Sequence, residues 1–441
     1  MMGFRGLEAL ITIKEVLTMK CTRKNVTNQR IERMTMQHAV VGIDVAKDTH
    51  AAKAVDFRGR ELTTRHLAFS NTSEGFERLL QWMGEVQAKH RLSSLIIGLE
   101  PTGHYWFNLA HWLLEQEITV VLVNPVTTHR NKENRDNSPA KNDPKDALVI
   151  AELVSRGYYT DYSPHAFPYE RLKTTMSHRE YWAKLAVSLG NRIVRWIDLY
   201  FPEFRSVFRE WSGLRALATL RALPLPSDLR GLQAAEIVEQ WRKQGMKRAG
   251  GASGLAKAAQ LVAAATRSMG DSRVPEEARR DIQRLLSVYD ELTDQLDAMQ
   301  REVEEILKEL PIAKQLQSIQ GLGTITLAAL LGCAGDLSHY THGRQLLRRA
   351  GLNLTQCTSG KYTGQIKLAK RGDSLLRKYL FLGMLGLVRQ HPDFKRWHAQ
   401  NQKKGMQKMA SLFKLIGKLG RVIIGMIQRG EPYRAETARA A

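Results

Sequence analysis

Cysteine is scarce: Cys21, Cys333 and Cys357 are the three in 441 residues. An odd number spread this widely excludes a disulfide framework and a cysteine-type zinc site, and it suits a reducing cytoplasm. Long apolar runs are also missing. Stretches such as Tyr379 to Val388 are too short to cross a bilayer. Leu7 to Leu17 is interrupted by Glu8, Lys14 and Glu15, and no small-residue cleavage site follows, so it does not read as a secretory signal. Acidic residues are in deficit, 44 Asp and Glu against 66 Lys and Arg, for a formal net charge of +22. Such an excess points to a polyanionic partner, and without a membrane segment that partner is nucleic acid. What remains is an ordinary globular composition, 43% hydrophobic and 25% charged, in a chain long enough for two or three domains.

Residues 1–37 lack a clear pattern and read as a poorly ordered extension, or as the product of an upstream start codon, with Met19, Met34 and Met36 as further methionines. From His38 strands and helices alternate. Ala39 to Val45, Ala51 to Asp56 and Glu61 to Phe69 read as three strands, with a turn at Arg58-Gly59-Arg60. Ser73 is placed to cap a helix carrying Phe76, Leu79, Leu80 and Met83 at helical spacing. Ser94 to Leu99 is a short buried strand, a helix follows from about His104, Ile118 to Asn124 is another strand, and a last helix opens at Pro144. That order is the order of an α/β ribonuclease-H-like domain over residues 38–164. Residues 165–310 read as long helices. In Ile282, Leu285, Tyr289, Leu292, Leu296, Met299, Val303, Ile306 and Leu310 the spacing alternates between three and four, the seam of a coiled coil that would pair as a hairpin or as a homo-oligomer. Residues 311–433 form a further, mostly α-helical region, followed by a tail over 434–441. Ser411 to Gln428 is an amphipathic helix with Lys414, Lys418 and Arg421 on one face, either a solvated face or a backbone contact.

Two acids end apolar strands, Asp44 and Glu100. Two more, Asp143 and Asp146, stand three apart in D-P-K-D at a helix start, on one face with Cβ atoms about 5–6 Å apart. Each alone has a bland explanation: Asp143 is a good N-cap, Pro144 suits the first helical turn and Asp146 favours the helix dipole. Together, in this element order, they can hold two Mg²⁺ or Mn²⁺ ions roughly 3.5–4 Å apart, the arrangement used for phosphodiester exchange.

The C-terminal third is where a phosphate backbone would dock. Residues 341–380 hold nine bases, among them Arg344, Arg348, Arg349, Lys361, Lys370, Arg371 and Arg377, against the single Asp373. Gly321-Leu322-Gly323 joins two helices in the manner of a helix-hairpin-helix unit, either a phosphate contact or a tight connection. Ser359 precedes a glycine in a polar, basic loop. From the residues alone it forms a turn or touches a phosphate.

Gly42-Ile43-Asp44-Val45-Ala46-Lys47, Glu100-Pro101-Thr102-Gly103-His104-Tyr105-Trp106, Val123-Asn124-Pro125 and Lys141-Asn142-Asp143-Pro144-Lys145-Asp146-Ala147 together resemble the signatures of the DEDD transposases, the Piv/MooV-like recombinases of the insertion-sequence one-ten family. The resemblance runs from about His38 to Tyr433. It implies a RuvC-like domain with Asp44, Glu100, Asp143 and Asp146 as its metal-binding tetrad, then a coiled coil and a transposase domain. It further implies that Ser359 is a nucleophile forming a phosphoserine link to DNA, and that a structured bridge RNA guides donor and target DNA. One departure is Leu368-Ala369 before Lys370-Arg371-Gly372, where such proteins usually carry a serine. Two other functions use the same residues: a junction nuclease whose nucleophile is water, and a catalytically inactive nucleic-acid-binding protein.

Overall fold

The structure is a computed structural model that describes residues 26–136, 143–356, 358–359, 362–363 and 365–435, without the side chains of 132–136, 143, 358–359 and 362–363. The chain forms two compact units that divide between Pro164 and His165.

The first unit is built on a six-stranded mixed sheet. Its strands are β1 (His38–Asp44), β2 (Thr49–Val55), β3 (Leu67–Ser70), β4 (Ser94–Leu99), β5 (Thr119–Leu122) and β6 (Thr160–Asp161), in the spatial order β3-β2-β1-β4-β5-β6. The central strands β1, β4 and β5 are parallel; β2, β3 and β6 run antiparallel to their neighbours. Helices cover both faces. Helix α1 spans residues 26–32, and α2 (Ser73–His90), α3 (Trp106–Glu115), α4 (Pro125–Asp136) and α5 (Asp143–Ser155) follow.

Side chains alternate across a strand, so each strand feeds two cores. Val41, Ile43, Ile97 and Leu99 join Leu79, Met83, Leu109 and Leu113 of α2 and α3. Val40, Ile96 and Val121 join Leu148, Ile150, Ala151 and Val154 of α5.

Three expectations change here. Residues 26–37 are packed, not loose: Met34 lies in the core under α5, Arg33 pairs with Asp161 at 2.6 Å, and Arg30 lies over the Tyr159 ring. The expected strand from Glu61 shrinks to Leu67–Ser70. Buried Lys53 draws Glu61 and the carbonyls of Thr63 and Thr64 onto its ammonium, at 2.7, 3.0 and 3.2 Å, and pulls that segment out of the ladder. The cap of α2 is Thr72, whose hydroxyl accepts from the Gly75 N–H, and Ser73 is the first helical residue.

The second unit is helical. Two helices of 34 residues, α6 (Phe167–Tyr200) and α12 (Pro275–Lys308), pack side by side in opposite directions. Near one end Leu172 and Met176 share a core with Val303, Ile306 and Leu310; near the other Ile193, Trp196 and Ile197 share one with Ala278, Ile282 and Leu286. The seam read from the sequence therefore meets α6 of its own chain at both ends, while Leu296 and Met299 between them are half-buried. Between α6 and α12 the chain folds into α7 (Phe204–Val207), α8 (Leu214–Ala222), α9 (Pro226–Leu229), α10 (Ala234–Lys243) and α11 (Gly251–Thr266), which close the second core.

After α12 come α13 (Pro311–Gln317), α14 (Thr324–Ala334) and α15 (Gly343–Arg349). A two-step ribbon follows, in which β7 (Leu354–Thr355) pairs with β10 (Lys367–Leu368) and β8 (Thr358–Ser359) with β9 (Tyr362–Thr363). Helices α16 (Ser374–Gln390), α17 (Pro392–Lys403) and α18 (Lys408–Arg429) complete the first core around α14. Thr326 through Ala334 of α14 are all buried, and its small residues let neighbours come close: a Cβ on Gly332 would sit 2.8 Å from the Lys173 amide of α6. Among the described residues no helix is long and apolar enough to cross a membrane.

Candidate active site

The first unit gathers its acids by register. Gly42 on β1 lies directly beside Gly98 on β4, and Ile43 beside Leu99, so Asp44 and Glu100 leave adjacent parallel strands at the same level. Both are half-buried. By alternation they belong to the face that carries α5, as Val40 and Ile96 do.

The two glycines seat that helix. A Cβ on Gly42 would collide with the Ala147 carbonyl and the Ala151 amide, and one on Gly98 would meet Val154 at 2.5 Å and Ile150 at 3.0 Å. Helix α5 thus lies on bare backbone. Its far end is at the other edge of β1, because the turn glycine Gly59 faces Ser155 and Glu152. Its first turn, with Asp146 only 4% exposed, therefore stands over the strand ends that carry Asp44 and Glu100. The side chain of Asp143 lies outside the described residues. Among the described residues no three His, Cys, Asp or Glu side chains close a metal-holding cluster. Carboxylate oxygens are the donor type that suits Mg²⁺ or Mn²⁺.

Sequence reasoning missed His50. It is fully buried on β2, in edge contact with Phe69 and stacked on Phe76. Its Nδ1 accepts the Ala46 N–H at 3.2 Å, which ties down the turn that follows Asp44. Burial lowers its pKa, against an opposing contribution from Asn71. A lone histidine in an alternating apolar strand gives no signal of such a job.

In the second unit the ribbon carries Ser359 on β8, paired with Tyr362 of β9. The Ser359 side chain and all of Lys361 lie outside the described residues. The ribbon springs from a backbone clasp. The amides of Ala369, Lys370 and Asp373 donate to the carbonyls of Asn353, Gly351 and Arg349 at 2.9, 2.9 and 2.7 Å. Gly372 lies so close to Gly351 that a Cβ there would strike the Gly351 amide. Lys370 has φ +53°, a left-handed conformation that non-glycine residues rarely hold.

The basic candidates separate by their contacts. Arg349 Nε donates to the Cys333 carbonyl at 3.1 Å, and Arg377 donates to the carbonyls of Ala350 at 2.8 Å and Lys370 at 3.4 Å, so both brace the clasp. Arg344, Arg348, Lys370 and Arg371 are exposed. Gly321 has φ +91°, and Gly323 starts α14 with no side-chain cap and open space beside it. Sequence reading also missed Arg179, on α6, which donates to the Tyr379 hydroxyl of α16 at 3.2 Å. It lies 200 residues from its partner, and only the helix packing brings the two together.

Residues 41–202 match a family described as Transposase, the DEDD type of IS110. Residues 313–399 match one described as Transposase IS116/IS110/IS902 family. This chain carries IS110-family transposase domains. The pilin gene-inverting protein of Moraxella lacunata is 29% identical over 147 residues, 33% of this chain and 43% of that protein. The transposase for insertion sequence element IS1111A of Coxiella burnetii is 22% identical over 96% of this chain and 98% of its own length. The transposase for insertion sequence element IS1328 of Yersinia enterocolitica is 33% identical over 24% of this chain and 34% of its own. The chain thus spans less than half the length of the pilin gene-inverting protein it matches. Asp44, Glu100, Asp143 and Asp146 all fall inside the first IS110-family match, and Ser359 inside the second.

Proposed function

We propose that the chain is an insertion-sequence recombinase that exchanges DNA strands at a RuvC-like, ribonuclease-H-like carboxylate centre and through a serine. The observation that carries this reading is the pairing of Gly42 with Gly98, which brings α5 onto the sheet beside Asp44 and Glu100. The strand order, with parallel central strands and an antiparallel edge beyond β1, supports the ribonuclease-H-like assignment.

Asp44, Glu100, Asp143 and Asp146 would hold Mg²⁺ or Mn²⁺, which when bound offsets charge building on the scissile phosphate. Ser359 Oγ attacks phosphorus. The Oγ–P bond forms as the P–O bond to one deoxyribose breaks, the hydroxyl proton leaves, and the departing strand oxygen takes one up. The incoming strand hydroxyl reverses these steps and frees the serine. Lys370 and Arg371, at the base of the ribbon, neutralise phosphate charge. Donor and target DNA are the substrates. A structured bridge RNA is the proposed guide, for which the net charge of +22 leaves ample basic surface. Two copies are proposed to meet along the middle of α6 and α12, where Tyr181, Val187 and Val288 are exposed.

The test is a denaturing gel of the purified chain with donor DNA and, where added, the element's own non-coding RNA. A protein–DNA adduct is expected that vanishes in Ser359→Ala, in Asp44→Ala, in Asp146→Ala and with EDTA, and returns with Mg²⁺. DNA cleavage that persists in Ser359→Ala would assign the chemistry to water and a junction nuclease.

A further inference from the structure

Residues 203–312 lie between the two family matches, and the small helical core α7–α11 within them has no role in the scheme above. It holds a cavity of ≈ 430 Å³. One wall is the beginning of α8: its cap Gly213 and its first turn Leu214, Arg215 and Ala216. Arg215 and Lys257 supply positive charge, Glu210 a single negative one, and Phe208 and Met246 an apolar flank.

The wall is electropositive beyond its side chains. The first N–H groups of a helix have no intrahelical acceptor, and the helix dipole adds partial positive charge there. No side chain caps α8 and no acid stands in its first turn. Helix α11 repeats the pattern: its cap is Gly250, with no side-chain cap and no acid in the first turn. Arg215 reaches that second helix start, with Nη1 donating to Ser253 Oγ at 3.5 Å. Arg215 is partly buried, and it lines the cavity. Lys257, six residues into α11, is held in place by donating to the Val207 carbonyl at 2.6 Å.

We propose that this cavity binds one backbone phosphodiester of a nucleic-acid strand, cradled by the first turn of α8 between Arg215 and Lys257, with the attached nucleoside against Phe208 and Met246. The inference rests on the reading that the chain handles nucleic acid.

Leu214→Asp separates a ligand site from a structural role. Leu214 is 76% exposed and opens α8. A carboxylate there favours the helix end, so thermal stability should hold or rise, while the same charge repels phosphate. Binding of the full chain to labelled duplex DNA and to RNA of equal length is measured across a salt series. For Leu214→Asp and for Lys257→Gln the slope of log affinity against log salt should shrink by about 1, and affinity should fall. Glu210→Gln should tighten binding. Unchanged affinity and slope in both weakening variants, with wild-type binding intact, would overturn this site alone. Inorganic phosphate binding that leaves oligonucleotide binding undisturbed would assign the cavity to a free anion and overturn it too. A wild-type chain that binds neither probe would overturn the recombinase reading along with it.

Discussion

Gly42 and Gly98 matter for what they lack. Each sits where a methyl group would meet α5, so the acids are positioned by the absence of two side chains. Overpacking of this kind costs roughly 1–3 kcal/mol, occasionally more. Gly98→Ala, which meets movable Val154 and Ile150 side chains, is expected near the lower figure by urea denaturation. Gly42→Ala, which meets backbone, is expected beyond the upper figure.

His50 gives a pH prediction with a definite sign. Burial lowers its folded pKa below the unfolded value of 6.5. The unfolded chain therefore takes up the proton first, so the stability contributed is full above pH 6.5 and is lost as pH falls through the folded pKa. His38 is shifted the same way by burial, and Arg33 adds to its shift. The melting temperature of the first unit should drop between pH 7 and pH 5, and His50→Gln should flatten that drop without removing it.

Much was legible at the scale of single elements. The apolar runs ending in Asp44 and Glu100, the D-P-K-D helix start and the 3.5-residue period of α12 are periodic signals, and those elements formed. What stayed hidden depended on distant partners. Strand β6 is two residues long and exists because it meets β5. Helix α4 carries almost no apolar face to announce it. Segment 26–37 looked patternless because its anchors, Asp161 and Tyr159, lie well over a hundred residues away. A chain begun at residue 34 loses the Arg33–Asp161 pair and the Arg30–Tyr159 contact. Its first unit should unfold at a lower temperature, by several degrees in a thermal melt. Exposed ion pairs contribute little by themselves, so most of that loss should come from the packing of α1. Gly372→Ala tests the ribbon clasp: strand exchange should be lost while nucleic-acid affinity is kept, since a Cβ there displaces the segment that ends in Ser359's ribbon.

At the scale of the whole molecule, charge and cysteine chemistry lead to different predictions. The positive excess pointed to nucleic acid, in keeping with the transposase matches. The cysteine argument is sharpened at Cys333, whose thiol is pushed up to about 12 by burial, with Asp373 beside it adding to the effect. A thiol this reluctant to ionise is inert, so a thiol reagent under native conditions should leave Cys333 unmodified. The division at Pro164 implies that residues 165–435, which hold both helical cores, fold without the first unit. That fragment should show a cooperative, strongly helical melt by circular dichroism.

The paired glycines under α5 also offer a control that alanine scanning of acids lacks. Removing a carboxylate changes the electric field felt by an approaching strand, so lost turnover and altered docking become entangled. A single extra methyl at position 42 leaves every charge unchanged, yet it meets the backbone of the helix and lifts it off its seat. Such a variant would arrive at its target normally and stall there, making it a clean decoy for capturing assembled but unreacted complexes.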